Sequence, residues 1–508
     1  MLKAAPKRGA SGLRLRRIGI DTYGEPVLYM RSNSEICRAE GFAAQARVEV
    51  TVANRSLVCT LHHTVNGLLQ ENEVALSESA WRVLDAHEGS AATLAHPRPL
   101  ESLSHLRAKV YGNRLGQEGW DAMVRDIAAG RYSELHLASF VTACAGAKLD
   151  LDETEYLTRA MLSVGSRIEW PAGVVADKHC VGGLPGNRTT LIVVPILAAC
   201  GALIPKTSSR AITSPAGTAD VMEVLAPVDL TLGAMRSVVD REGGCVVWGG
   251  NVQLSPADDI LIRVERPLDF DSEAQLVASV LSKKAAAGST HVLIDIPVGE
   301  TAKVRDEASA KRLAEVLTVI GARIGIAVKA VFSDGTAPVG RGMGPALEAR
   351  DVMAVLRGSP TAPVDLRDRA LHLAAALLEF CGVAEAGQGM SLASATLNSG
   401  QALRKFERIC EAQGGLRNIP GGRLSHVVVA DRSGFVIGFH NRRLARVAKL
   451  AGAPRAVTAG IDVHVGLRSE VVVGMPLFTL WAETPGELQY ALNYFEAIPC
   501  PVTVGEIR

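Results

Sequence analysis

The sequence predicts a multidomain protein of the α/β and α+β classes. It is read as an N-terminal β-rich module, a helical stretch, a large α/β region with a mixed sheet and a C-terminal α+β piece. Three observations predict this. The chain has 508 residues, too many for one ordinary domain. Both ends alternate short apolar runs with turns, as strands do. From Trp170 to about residue 335, short apolar runs alternate with helical stretches, the mark of an α/β sheet.

Taken in order, residues 1–17 are basic (Lys3, Lys7, Arg8, Arg14, Arg16 and Arg17) and are read as a solvated tail. No apolar segment follows them, so they do not form a secretory signal. Residues 18–95 form the β-rich module, with strands expected over 48–52 and 57–61. Prolines at 97 and 99 mark a linker. The pattern over 100–165 is helical, interrupted at Gly130 and at Lys148-Leu149-Asp150. Strands of the α/β region are expected at 173–176, 202–204, 291–296 and 326–328. Further strands are expected at 427–429, 434–438 and 471–480, before a helix over 487–493. No run of 18 apolar residues occurs.

Composition narrows the function classes. Net charge is +1 and aromatics make up 4%, so there is neither a basic field nor a stacking platform for nucleic acid. Nine cysteines lie scattered without a CxxC pair, a pattern of reduced thiols in a cytoplasmic protein rather than a disulfide or zinc framework. The expected partners are small molecules, with no nucleic acid, membrane, metal or cofactor.

Two loops carry chemistry. Residues 177–190 read Asp-Lys-His-Cys-Val-Gly-Gly-Leu-Pro-Gly-Asn-Arg-Thr-Thr and lie between an expected strand and the apolar run from Leu191 to Cys200. A glycine-rich turn from strand to helix offers backbone N–H groups to an anion, and Lys178 adds a full charge. It is neither a Walker A loop nor GxGxxG. Pro195 should bend the helix that follows. The second loop, residues 206–223, holds six hydroxyls, one Lys and one Arg between Lys206 and Thr218. Such groups suit phosphate oxygens. Loops after successive parallel strands meet at one end of the sheet, where α/β proteins bind ligands.

Lys178-His179, Gly182-Gly183 and the run from Ser208 to Glu223 resemble the thymidine/pyrimidine nucleoside phosphorylase family. The wording is most like its long branch, which includes the AMP phosphorylases. Further matches are Gly130-Arg131-Tyr132-Ser133, Val247-Trp248-Gly249-Gly250, Ser282-Lys283-Lys284 and Gly344-Pro345-Ala346-Leu347-Glu348. The resemblance implies a discontinuous all-α domain (96–165 plus 257–288), an α/β phosphate-binding domain (166–256 plus 289–425) and a C-terminal α+β domain (426–508). It also implies a homodimer or larger homo-oligomer that closes on its substrate, with inorganic phosphate as co-substrate.

The resemblance further assigns Lys178, Cys180, Ser208 and Thr218 to phosphate, with Cys180 standing where the family usually has serine. His179 would lie near the leaving base and Asp271 would donate its proton, besides capping the next helix. Gly183, Ser209, Arg210, Ala211, Ile212, Thr213, Ser214, Ser279, Lys283 and Lys303 would hold the substrate. Arg263 and Arg266 do not fall in register with the arginine of the pyrimidine enzymes, which favours a nucleotide. The implied reaction is phosphorolysis of the N-glycosidic bond of a nucleoside monophosphate or nucleoside. Thymidine phosphorolysis and an anthranilate-type phosphoribosyltransferase remain alternatives. A carrier-like hairpin over 463–480 lacks a lysine at its tip and is read as structural.

Overall fold

The computed structural model describes residues 12–65, 67–146, 149–211, 214–252, 254–268 and 272–506. The chain divides into two compact units, Met1–Lys148 with Arg263–Phe270, and Leu149–Ile262 with Asp271–Arg508.

In the first unit, six strands close into a barrel: β1 (Leu13–Arg17), β2 (Val27–Arg31), β3 (Arg47–Val52), β4 (Arg55–Thr64), β5 (Glu73–Leu76) and β6 (Ala91–Ala95). Their order is β1-β5-β2-β4-β3-β6. The tail expected over 1–17 is therefore in part a barrel strand. Leu13 and Leu15 point into the core while Arg14, Arg16 and Arg17 stay in contact with solvent, a period-2 pattern that the density of charge obscured. Helices Ser102–Val110, Gln117–Ala128 and Glu134–Gly146 follow. From β3, the Arg47 guanidinium donates to the carbonyl of Gly130 (3.0 Å), so the Gly130-Arg131-Tyr132-Ser133 segment is fastened to the barrel.

The second unit is built on β7 (Ala176–Cys180), β8 (Ile204–Ser208), β9 (Gly244–Trp248), β10 (His291–Val298) and β11 (Ala327–Asp334). Ladders join β11-β10-β7 and β8-β9, and a bridge between Val175 and Leu203 connects the two sets. Every one of these pairings is parallel, not mixed as the sequence suggested, because a helical crossover follows each strand. Two strands are displaced from the expected 173–176 and 202–204, each sharing one residue with the expectation and lying towards its C-terminal side. β7 continues through Asp177, Lys178 and His179, and β8 through Lys206 to Ser208, so the charged residues sit on the sheet itself.

Helix Thr190–Ala199 is buried from Thr190 to Ala198, with Pro195 accommodated inside it. Helix Leu151–Ser163 packs on helix Glu273–Ala286, both within this unit. Towards the C-terminus come β12 (Gly342–Met343), β13 (Leu424–Val429), β14 (Gly434–Phe439), β15 (Gly460–Val463), β16 (Glu470–Val471), β17 (Pro476–Ala482) and β18 (Val502–Gly505). They form the sheets β12-β15-β17-β13 and β16-β14-β18, covered by helices Asn441–Leu450 and Pro485–Glu496. No helix among the described residues is long and apolar enough to cross a membrane.

Candidate active site

The glycine-rich loop leaves β7 at Cys180 and enters helix Thr190–Ala199. Its glycines are required by geometry. Gly183 has φ +84°, and a Cβ there would lie 2.3 Å from the backbone nitrogen of Lys303. Gly186 has φ +76°, and a Cβ would lie 2.1 Å from the carbonyl oxygen of Val339. Only glycine adopts these conformations and allows the approach. Gly183 and Lys303, both expected to hold substrate, are thus brought together.

Lys178 and Cys180 point to one face of β7, Asp177 and His179 to the other. Lys178 is 1% exposed and lies beneath the loop, not open to solvent. Its ammonium donates to Thr189 Oγ1 (2.8 Å) and is 3.9 Å from Asp295. Asp295 also accepts from Asn187 Nδ2 (3.3 Å) and Ser333 Oγ (2.5 Å). Asn187 Nδ2 reaches Cys180 Sγ at 3.4 Å. Burial, with Asp295 beside it, pushes the Cys180 thiol up to about 12, so the sulfur stays protonated at neutral pH.

On the opposite face, Asp177 lies between Lys206 (3.3 Å) and Lys284 (2.9 Å) and accepts from Ser289 Oγ (3.3 Å). The cluster is buried and holds two lysine side chains for one carboxylate. Burial outweighs the attraction of Asp177 and brings Lys206 down to about 7. Burial, reinforced by Lys284, Lys206, Lys283 and Lys178, holds His179 well below its ordinary value. His179 is therefore a neutral imidazole that can donate and accept hydrogen bonds, not an imidazolium acid.

The second loop follows β8. Ser208 ends the strand opposite Trp248 of β9, and Ser209 is exposed. The carbonyl of Ser209 accepts from the backbone of Ala219, and Asp220 accepts from the amides of Ala211 (2.7 Å) and Gly217 (2.8 Å). A Cβ on Gly217 would lie 2.5 Å from the nitrogen of Ala211, so the loop folds tightly onto the start of helix Thr218–Leu225. Ser214 Oγ donates to the carbonyl of Ala216 (2.8 Å). Ile212 and Thr213 lie outside the described residues. Arg210, implied to hold substrate, faces Glu223 (2.5 Å), Asp220 (3.4 Å) and Asp229 (3.9 Å) and stacks over Trp248.

Arg188 joins the two loops. Its guanidinium donates to Thr218 Oγ1 (3.0 Å) and the carbonyl of Ala216 (3.1 Å), and pairs with the buried Glu348. Glu348 in turn accepts from the amide of Gly344 (3.1 Å). Neither Arg188 nor Glu348 was singled out from the sequence, although both fall in motifs quoted above. The signal was available in part, since a charged residue inside an apolar, glycine-rich segment is buried only with a partner.

On helix Glu273–Ala286, Ser279 and Lys283 share a face, and Lys283 donates to Asp258 (2.6 Å). Asp271 lies outside the described residues, and the cap of this helix is Ser272, which accepts from the amide of Gln275 (3.4 Å). In the first unit Arg263 pairs with Glu134 (2.6 Å). The side chain of Arg266 is outside the described residues.

Comparisons with known proteins agree with this architecture. The profile described as "Glycosyl transferase family, a/b domain" matches residues 172–403, and "Glycosyl transferase family, helical bundle domain" matches 103–165. A relative from Polaromonas sp. (strain JS666 / ATCC BAA-500) is 62% identical, covering 95% of this chain and 94% of its own. One from Hahella chejuensis is 56% identical over 98% and 99%, and one from Legionella pneumophila (strain Paris) 52% over 98% and 97%. Each bears the name "Putative thymidine phosphorylase". The crystal structure of anthranilate phosphoribosyltransferase from Thermus thermophilus superimposes with a TM-score of 0.51 at 19% identity. It covers 61% of this chain and 99% of that one, a likeness of fold alone.

Proposed function

Since the chain belongs to the thymidine/pyrimidine nucleoside phosphorylase family and is a pentosyltransferase, we propose that it cleaves the N-glycosidic bond of a nucleoside monophosphate with inorganic phosphate. The products are the free base and ribose 1,5-bisphosphate. The observation that carries this reading is the meeting of two strand-following loops through Arg188 and Thr218. A phosphate oxygen forms a bond to C1′ of the sugar as the C1′–N bond breaks and its electron pair leaves with the base. Positive charge builds on the sugar, and the phosphate held by Thr218, Ser208 and the glycine-rich loop stabilises it.

Lys178 acts from beneath the loop: it fixes Thr189 and, paired with Asp295, holds the loop in place where phosphate gathers. The leaving base takes a proton, for which Asp271 is the candidate donor, and neutral His179 orients the base by hydrogen bonding. Lys283, Ser279, Lys303 and Gly183 complete the substrate contacts. The enzyme works without a cofactor, as a homodimer or larger homo-oligomer.

A second reading, thymidine phosphorolysis giving thymine and 2-deoxyribose 1-phosphate, is favoured by the names of the relatives. The test is to incubate the protein with phosphate and a panel of AMP, CMP, UMP, their nucleosides and thymidine, and to measure released base. Higher kcat/KM for a monophosphate than for its nucleoside supports the first reading. Efficient cleavage of thymidine, with AMP, CMP and UMP untouched, replaces it with the second.

A further inference from the structure

The loop that brings Lys303 against Gly183 has another side. After β10 it turns tightly, with the amide of Ala302 bonded to the carbonyl of Gly299 (2.9 Å) and that of Gly299 to Val304 (3.0 Å). Its remaining residues Glu300, Thr301 and Arg305 line a cavity of about 450 Å³ with His440, Arg442 and Arg443 from the start of helix Asn441–Leu450. Thr301 fixes the two segments together, its Oγ1 accepting from the amide of Asn441 (3.2 Å), while Asn441 Nδ2 donates to the carbonyl of Gly335 (3.0 Å).

Three arginines therefore line a cavity whose lining includes one carboxylate residue, Glu300. Among the described residues, no carboxylate comes within ion-pair distance of Arg305, Arg442 or Arg443; Arg443 makes only a long contact, 3.5 Å, to the carbonyl of Pro499. By contrast Arg188, Arg210 and Arg350 each face carboxylates at ion-pair distance. The helix N-terminus does not explain the arrangement, since its amides are occupied by Thr301 and by His440 Nδ1, which accepts from the amide of Arg443 (3.3 Å). Burial, with Arg443 and Arg442 beside it, lowers His440, so the positive charge rests on the guanidinium groups.

We propose that this cavity is a second anion site, separate from the glycine-rich loop, which takes a phosphomonoester dianion. Arginine is suited to that task because its planar fork matches two phosphate oxygens at once. The volume lies within the range of small-molecule sites. The bound group is either the 5′-phosphate of the substrate or a separate sugar phosphate. Only the first alternative rests on the proposed phosphorolysis.

The test uses the full-length protein and calorimetry with ribose 5-phosphate, with ribose as control. The double variant Arg305→Ala/Arg442→Ala changes two exposed side chains and leaves the helix cap and Thr301 in place. Ribose 5-phosphate is expected to bind the wild type and to bind the double variant at least ten-fold more weakly, with Arg442→Lys intermediate. Equal binding by wild type and variant, or wild-type binding no tighter than that of ribose, overturns the proposal. Steady-state rates then identify the source. If the variant loses at least ten-fold in kcat/KM for a nucleoside monophosphate and keeps its rate on the nucleoside, the site holds the substrate's own phosphate. If ribose 5-phosphate binding falls and both rates persist, the site belongs to a separate phosphate ester. If no substrate releases base, the phosphorolysis reading fails while the binding result still decides the cavity.

Discussion

The two faces of β7 solve the problem of buried charge in different ways. On one face Lys178 meets Asp295 within a set of neutral donors and acceptors, Thr189, Asn187 and Ser333, so charge is balanced one to one. On the other, Asp177 serves both Lys206 and Lys284, leaving an excess of one cation beside His179. The balanced face lies under the glycine-rich loop, and the unbalanced face keeps the His179 imidazole neutral. Under the proposed phosphorolysis, the alternation of side chains along one strand would keep anion binding and base handling on opposite faces.

Substitutions that remove the shared carboxylate should be the most damaging. Asp177→Asn leaves two buried ammonium groups without a counter-charge and is expected to cost about 3–5 kcal/mol in urea unfolding. A loss below about 1 kcal/mol would mean that the cluster is not buried as described.

Lys178→Ala acts on the balanced face. It removes the ammonium that holds Thr189 and faces Asp295, so the loop loses its support and the phosphate KM should rise roughly ten-fold or more. An unchanged phosphate KM would remove Lys178 from the phosphate machinery.

Lys206→Met should be far milder than Asp177→Asn, because it leaves Asp177 paired with Lys284. A change of about 1 kcal/mol or less is expected at neutral pH. The pH profile separates the two faces further. In the folded protein Lys206 titrates near 7, below its value in the unfolded chain. Between that pH and the ordinary lysine range, the unfolded chain holds a proton that the folded one has lost, so stability rises with pH. Lys206→Met should lose that rise, and His179, followed by NMR, should titrate at a higher pH than in wild type. An unaltered stability profile together with an unaltered His179 titration would show the two groups to be uncoupled.

The smallest effect belongs to Cys180. Its thiol is held protonated, so iodoacetamide should modify it slowly at pH 7. Cys180→Ser restores a stronger donor and should leave kcat/KM for phosphate equal or modestly higher. Rapid alkylation with loss of activity, spared in the serine variant, would place a thiolate there instead.

Much of this site was legible locally. A strand, a glycine-rich turn and an apolar helix follow one another in sequence, and so do the hydroxyls of the second loop. The ends of β7 and β8 were not, since Asp177, Lys178 and Lys206 break the apolar pattern that marks a strand, and only their partners across the fold make them tolerable there. The same limit hid the Arg188–Glu348 pair, whose members lie 160 residues apart. No periodicity reports a contact of that range. Strand β1 was missed for the opposite reason, because its outward arginines read as a tail while Leu13 and Leu15 carried the signal. The resemblance to a family supplied Ser279, Lys283, Lys303 and Asp271 as candidates, which spacing alone would have left as an ordinary helix face and an ordinary loop.

Phosphorolysis requires that phosphate, held between the two loops, be the attacking group. Incubating the protein with AMP and inorganic phosphate fully labelled with ¹⁸O, then analysing the sugar product by mass spectrometry, tests it most directly. The expected result is base release that requires phosphate, with a ribose 1,5-bisphosphate that retains all the label of the incoming phosphate. Base release that proceeds without phosphate and yields an unlabelled ribose 5-phosphate would contradict the account.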